Sequence, residues 1–494
     1  MYMIENSGLQ FNQHQYDGVQ FCISREQPNS NNEIQGGFIV DEMGLGKTIT
    51  MIGTIFANYV GTTLIVVPPI LINQWFNEIV KTTGHKSIVY HGPKKTKITE
   101  EMLTTARIVL TTYNGIQELK NKENPLHKIR WARVVFDEAH HLRNKTLSHK
   151  GSLLLNTEIR WLISGTPIQN SIRDFYNLCL AAGISKEFFS KKENHKIILE
   201  KFVLRRTKKQ VGIQIPGVTI VNHCIPWATE KEQTIAEEIH AALQFSNVDS
   251  NKMSNLSNAL ESEGVLQLML RARQMCVYPK LMEKKLRLLT SDGVIDSHYL
   301  ESISETTSKL DKVIEVMAER KDNQTGKLVF CHYHREMDEI ARRLMERGFQ
   351  NVVTFDGRIT KKSKDAILQS ENTDTVLILQ IQTGCEGLNL QDKYSEVYFV
   401  SPHWNPSVEE QAIARCHRIG QKKEVTVFRF IMTGFNGMNL NNLNQNNYNG
   451  ENIYYGEDQC EEEMPEDEEI TRSLDEHIAK VQTNKKDIIN AMFI

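Results

Sequence analysis

At 494 residues the chain is too long for one hydrophobic core, and about 150 residues per domain makes two or three domains the expectation. Hydrophobic residues form 40% of it and charged residues 24%, as in a soluble globular protein, and no apolar run approaches the roughly 18 residues of a membrane span. A net charge of -3 argues against a nucleic-acid binder, but Glu451 to Ile470 holds ten acidic residues and no basic one, and without it 58 basic residues face 51 acidic ones, a balance of +7. The N-terminus has no charged-then-apolar signal segment, so an intracellular setting is expected. Eight scattered cysteines without a CxxC pair indicate neither a disulfide framework nor a zinc module, and reduced, mostly buried thiols are expected.

In chain order, the first motif is Phe38 to Thr50, FIVDEMGLGKTIT, where a strand-like run enters a glycine turn. Such a loop, here Asp41, Glu42, Met43, Gly44, Leu45, Gly46, Lys47 and Thr48, cradles phosphates. Its backbone N–H groups and the next helix's N-terminus face the anion, Lys47 reaches the terminal phosphates of ATP, and Thr48 holds magnesium. Asp41 stands where the usual pattern has its leading glycine, and a chance structural turn is the alternative reading.

A second element argues against that alternative. The run Val134 to Phe136 delivers Asp137, Glu138, Ala139 and His140 at its end, placing one carboxylate for magnesium (Asp137) and its neighbour as the base that polarises water (Glu138). An exposed acidic helix cap is the bland alternative.

Further apolar runs, Leu64 to Val67, Leu328 to Cys331, Val376 to Leu379, Val397 to Val400 and Val425 to Phe430, lack polar alternation and suit parallel strands buried on both faces. Alternation with helices predicts doubly wound parallel α/β sheets. From about Thr207 to Ser308 the pattern turns to amphipathic helices, such as Glu230 to Leu243 and Val265 to Met275. His332 and His334 alternate on a predicted strand, but without a third ligand nearby they read as packing residues. Asn436 to Asn452 is Asn-rich, and with the acidic run after it has little to bury. Helical character returns from Leu474.

Taken in order, DEMGLGKT, DEAHHLRN, SGTPIQN and QAIARCHRIGQ resemble the Swi/Snf family within the second helicase superfamily. LIVVPPILINQWFNEI, FVLRRTKKQV and WNPSVEEQAIARCHRIGQKKEV support the match, which covers about Leu9 to Phe430 and resumes after the acidic run. The resemblance implies two RecA-like lobes, residues 1–206 and 309–435, with a helical insertion and linker at 207–308. An insert at 436–471 and a brace helix at 472–494 complete the expected division. It implies that Gln15 contacts adenine and that Ser164 to Asn170 link hydrolysis to nucleic-acid grip. Arg415 and Arg418, three apart on a predicted helix and so on one face, would act as arginine fingers, with Gln411 ordering the same surface. Basic residues on a helix are usually just solvated, but the flanking WNP and HRIGQ favour the functional role. The family's double glycine appears as Gly384 and Cys385, which puts the backbone's approach to phosphate there in doubt.

The activity implied is that of a DNA-dependent ATPase moving along duplex DNA without strand separation, in a nucleus or viral factory, with targeting by a recruiting protein. A strand-separating helicase, a virus-type transcription ATPase and a catalytically dead DNA-binding scaffold are the alternatives. The last is opposed by intact Lys47, Thr48, Asp137, Glu138, Arg415 and Arg418.

Overall fold

The computed structural model describes residues 12–27, 34–118, 123–169, 171–304, 307–323, 325–370, 372–381, 388–435 and 471–493. They fall into two compact units, Met1–Gln214 with Lys485–Ile494, and Ile215–Asn484.

The first unit is built on seven strands: β1 (Gln35–Ile39), β2 (Thr63–Val67), β3 (Ile88–Val89), β4 (Ile108–Thr112), β5 (Arg133–Asp137), β6 (Ile159–Ile163) and β7 (Val203–Leu204). Their order is β3-β4-β2-β5-β6-β1-β7, and every pairing is parallel. Successive residues of a strand point to opposite faces, and here both faces are buried. Leu64, Val66, Val134, Phe136 and Leu162 enter one core, and Ile65, Val67, Val135, Trp161 and Ile163 enter the other. This two-sided burial explains the unbroken apolar runs in the sequence.

Three helices of this unit position the site: α1 (Gln13–Glu26), α2 (Lys47–Ala57) and α3 (Ile72–Thr83). The C-terminal end of α1 is pinned from below by a buried ion pair, in which Arg133 Nε donates to Glu26 Oε1 at 2.6 Å. Trp161 Nε1 and Asn58 Nδ2 donate to the same carboxylate at 2.8 and 2.7 Å. Both charged side chains are fully buried, so removing one partner alone would cost about 3–5 kcal/mol. Arg133 opens β5, so the pair ties α1 to the strand that ends in Asp137.

The second unit holds β8 (Val218–Ile225), β9 (Gly326–Cys331), β10 (Val352–Phe355), β11 (Val376–Gln380), β12 (Tyr394–Phe399) and β13 (Val425–Met432). They lie in the all-parallel order β10-β11-β9-β12-β13-β8. Leu328, Phe330, Leu377, Leu379, Val397 and Phe399 fill one face. Val329, Cys331, Ile378, Tyr398 and Phe430 fill the other, together with residues of the helical insertion. That insertion comprises α4 (Glu230–Ala241), α5 (Asn255–Glu261), α6 (Val265–Val277), α7 (Glu283–Ser291) and α8 (His298–Ser304), followed by α9 (Ser308–Glu319). Ile235, Ile239, Leu268, Met275 and Leu286 join its core to the sheet face.

One element inside 207–308 departs from the helical pattern. β8, VTIVNHCI, is β-branched and largely exposed on one side, as befits an edge strand beside β13. The second unit continues with α10 (His334–Glu346) and α11 (Pro406–Ile413), and α12 (Leu474–Phe493) begins in it. The two doubly wound parallel-sheet lobes, the helical insertion and the C-terminal helix predicted from the sequence are thus all present.

The two ends of 436–470 meet. Phe435 N donates to Thr471 Oγ1 at 3.0 Å, and a Cβ on Gly434 would lie 1.9 Å from the Thr471 carbonyl oxygen, an approach only glycine permits. The Asn-rich and acidic tracts themselves lie outside the described residues. No helix among the described residues is long and apolar enough to cross a membrane. Five of the six described cysteines are buried, and none of the six is in a disulfide.

Candidate functional site

The phosphate-loop motif folds as its sequence demands. β1 ends at Ile39, the chain turns through Asp41 to Gly46, and α2 starts at Lys47. Gly44 and Gly46 have φ of 91° and 81°, in the left-handed region that favours glycine. At Gly46 a side chain is excluded twice over, because a Cβ would also fall 2.3 Å from Gln15 Nε2.

Gln15 is therefore at the loop: its Nε2 donates to the Leu45 carbonyl at 3.3 Å, beside His14 Nε2 at 2.9 Å on the same oxygen. Met43 packs toward Gly165 of the SGTP turn. Asp41, in place of the leading glycine, is 1% exposed and turned away to Arg206, which donates from Nε to Oδ1 at 3.1 Å and from Nη2 to Oδ2 at 2.5 Å. Glu42 Oε2 accepts from the Lys208 N–H at 2.7 Å, and its other oxygen pairs with Lys208 Nζ at 3.1 Å. The FVLRRTKKQV segment thus braces the loop from behind. Arg206 and Lys208 are contributors that sequence reasoning missed, since they lie some 165 residues away along the chain.

Lys47 Nζ donates to the Asp41 and Glu42 carbonyls at 2.7 and 3.4 Å. Burial holds its ammonium below the ordinary lysine range, and the charges of Glu138, Asp41 and Asp137 partly offset that. Lys47 and the acidic pair therefore share one local field. Thr48 follows it in the first turn of α2.

Asp137 closes β5 and is 7% exposed. Trp75 Nε1, on α3, donates to its Oδ2 at 2.6 Å, and the Tyr113 hydroxyl donates to its carbonyl at 2.6 Å. These two aromatic anchors are further residues missed in the sequence. Trp75 was visible only as part of LIVVPPILINQWFNEI, with nothing local to announce its partner. Glu138 is one of two non-glycine residues at positive φ among those described, at φ 50° and ψ 50°. Strained backbone of this kind persists where the surroundings aim a side chain. His140 Nδ1 lies 3.3 Å from Glu138 Oε2 and stacks on His141, whose imidazole burial holds down at about 4.

The donor set at Asp137 and Thr48 suits a hard divalent cation, being oxygen only. Burial, and then the charge of Glu138, push the Asp137 carboxyl up to about 7, and a cation beside it would hold it as the carboxylate. On these grounds the residues fit magnesium.

In the SGTPIQN turn, Ser164 Oγ accepts from the Thr166 N–H at 3.1 Å. Asp174 Oδ2 accepts from the Gln169 N–H at 3.0 Å, while Arg143 of DEAHHLRN donates to the Gln169 side-chain oxygen. Motifs separated in sequence are therefore wired together. Asn170, Gly384 and Cys385 lie outside the described residues.

In the second unit the predicted helical placement of the arginines is corrected. α11 carries Gln411 but stops at Ile413, and Arg415 and Arg418 sit in the turns beyond it. A contact from elsewhere in the chain ends it: the Arg415 carbonyl, which a continuing helix would bond internally, accepts instead from the Leu390 N–H at 3.0 Å. Burial, and then the charge of Arg415, lower the Arg418 pKa. Arg415 Nε donates to the Gln411 carbonyl at 3.2 Å, and Arg418 donates to Asn389 Oδ1. Gln411 is buried, and its Nε2 has no hydrogen-bond partner among the described residues. His332 lies just past β9 and His334 opens α10, so they do not alternate on a strand. His332 is stacked over His403 with centroids 5.9 Å apart, and His334 pairs with Asp356 at 3.2 Å.

Known proteins resemble this chain over most of its length. The SNF2-related domain model matches residues 14–281, and the helicase conserved C-terminal domain model matches residues 308–420. The chain is 27% identical over 444 residues to the "Probable global transactivator" of Orgyia pseudotsugata multicapsid polyhedrosis virus, covering 85% of this chain and 86% of that protein. It is 26% and 27% identical to the "DNA excision repair protein ERCC-6-like" of Danio rerio and of Homo sapiens, covering 87% of this chain. It spans only 35% and 40% of the length of those two relatives. A Sulfolobus solfataricus SWI2/SNF2 ATPase core solved in complex with dsDNA aligns at 22% identity and a TM-score of 0.39, over 86% of this chain and 88% of that one. With the SNF2-related model spanning more than half of its length and the helicase model half of the rest, the chain belongs to the SNF2-related family and is a DNA-dependent, helicase-like ATPase.

Proposed function

We propose that this ATPase is a translocase on duplex DNA that displaces or remodels bound proteins, working in a nucleus or a viral factory and directed by a recruiting protein. The observation that carries the reading is the match of both family models to a chain in which Lys47 opens the helix after the glycine turn and Asp137 and Glu138 end a buried strand. In this reading Gln15 holds the adenine, and the loop from Asp41 to Gly46 offers its backbone N–H groups to the phosphates of ATP. Lys47 exchanges its two carbonyl partners for the terminal phosphates. Thr48 and Asp137 hold magnesium, which when bound neutralises phosphate charge. Glu138 takes the proton of the attacking water, its strained backbone fixing its direction. Arg415 and Arg418 meet the negative charge that develops on the transferred phosphoryl group, over a surface ordered by Gln411.

Coupling to DNA rests on backbone contacts, which give affinity without sequence and weaken steeply with salt. The test is the ATPase rate against duplex DNA, single-stranded DNA and RNA, with displacement of a third strand from a triplex as a read-out of translocation. Duplex DNA should stimulate most, and the third strand should leave while the underlying duplex stays paired. Separation of the duplex, or stronger stimulation by RNA, would replace this reading by a strand-separating helicase. The viral relative named a transactivator favours a second reading, a transcription ATPase. That reading requires stimulation to depend on a transcribing polymerase.

A further inference from the structure

Within the second unit, α12 starts in a dense set of polar contacts. Leu474 N donates to His240 Nε2 at 3.1 Å, Asp475 pairs with buried Lys309, and Asp475 Oδ2 accepts from Met432 N at 3.1 Å. Two turns on, α12 offers Gln482, which is 7% exposed. Its amide nitrogen donates to the His403 carbonyl at 2.5 Å and to Glu409 Oε1 at 2.6 Å, using both of its hydrogens.

Glu409 is 1% exposed and lies in the first turn of α11. Its Oε1 also accepts from the His403 N–H at 2.9 Å, and its Oε2 faces Arg429 Nη2 of β13 at 3.0 Å. One buried carboxylate therefore gathers α11, the turn before it, β13 and α12. α11 is the helix that carries Gln411 and whose last turn orients the Arg415 guanidinium.

We propose that Gln482 is a positioning residue for ATP turnover: through Glu409 and His403 it sets the pose of α11, and so of Gln411, Arg415 and Arg418. The inference rests on the reading of those arginines as acting on the phosphoryl group. A buried amide held by two acceptors, one of them the buried Glu409 carboxylate, fixes a direction as well as a distance, so its loss tilts α11 without emptying the core. Misplacement of a catalytic group by about 1 Å can cost on the order of a hundredfold in rate.

The experiment uses the full chain and DNA-stimulated ATP hydrolysis. Gln482→Met keeps the volume and removes both donors. It should lower kcat roughly tenfold, with KM for ATP within about twofold, because the nucleotide is held by the other unit's loop. In an Arg415→Ala background the same change should cost less than about twofold more, since the group it positions is already gone. Gln482→Lys, which retains N–H donors, should lie between Met and the unaltered protein.

An unchanged kcat in Gln482→Met while Arg415→Ala is impaired overturns the inference and leaves the proposed function standing. Effects that multiply in the double variant, or a melting temperature lowered by more than about 10 °C in both the Met and Lys variants, also overturn it, showing a purely structural role. If Arg415→Ala alone retains full turnover, the reading of the arginines fails and the inference falls with it.

Discussion

The two units treat their charged residues differently. In the first, the groups assigned to chemistry are held from several sides: Asp137 by Trp75 and Tyr113, Asp41 by Arg206, Lys47 by two carbonyls, Gln15 by the Leu45 carbonyl. In the second, Arg415 and Arg418 lie in half-buried turns after a short helix, Arg415 bonded to the Gln411 carbonyl and Arg418 to Asn389, and their placement depends on what fixes α11. A constellation built on strand ends and a helix start is pre-organised, so changing it removes chemistry. One built on turns is positioned from a distance, so its remote supports matter.

This contrast is broken or sharpened by variants in descending order of effect. Lys47→Ala should abolish hydrolysis, because it removes the ammonium that reaches the terminal phosphates, while the melting curve stays within a few degrees of normal. Retained turnover in a steady-state assay would mean the loop is misassigned. Glu138→Gln keeps the shape and loses basicity, and should lower kcat by about 10²–10⁴ while nucleotide still binds in an equilibrium titration. Equal loss of binding would count against the base role.

Arg415→Ala and Arg418→Ala should each lower kcat by about 10²–10³ and leave ATP affinity near normal, since they act on developing charge. Normal hydrolysis by both on duplex DNA would remove the second unit from the chemistry. Trp75→Phe deletes the indole donor to Asp137 and should raise the magnesium concentration for half-maximal rate roughly tenfold, as loss of an outer partner does. An unchanged magnesium titration would show that the anchor is only packing.

The smallest effect concerns stability and pH in the second unit. His240 is fully buried, donating from Nδ1 to the Ala236 carbonyl at 2.7 Å while Nε2 accepts from Leu474, and burial holds it at about 4 against 6.5 in the unfolded chain. Between those values the unfolded chain binds the extra proton. The stability His240 contributes is therefore complete above pH 6.5 and is lost as pH falls toward 4, at most about 3 kcal/mol at 1.36 kcal/mol per unit. The Asp475 charge opposes part of this. Denaturant midpoints at pH 7 and pH 5 should separate less in His240→Gln than in the unaltered chain, and equal separations would exclude the residue as the source.

What was legible in the sequence was local. The glycine turn before Lys47, the acidic pair at the tip of β5 and the apolar runs of both sheets carry their geometry within a few residues, so period and composition suffice. The long-range bonds did not show. Arg206 meets Asp41, Trp75 meets Asp137 and Gln482 meets Glu409 only because the sheets and helices bring them together, and no spacing encodes that. The helix drawn through Arg415 and Arg418 was too long for the same reason, since the Leu390 N–H that takes the Arg415 carbonyl comes from another part of the chain. β8 was hidden among helical patterns because an edge strand with an exposed side lacks the apolar run that announced the others.

The meeting of Phe435 and Thr471 has a consequence for how this protein can change. A stretch that leaves and rejoins the fold at one point is a closed detour, and the entropy of closing a detour grows only as the logarithm of its length, about 0.6 kcal/mol for each doubling. By that measure the fold is nearly indifferent to the number of residues between β13 and α12. A fluorescent or affinity domain grafted between β13 and α12 should therefore travel with the enzyme as a passenger.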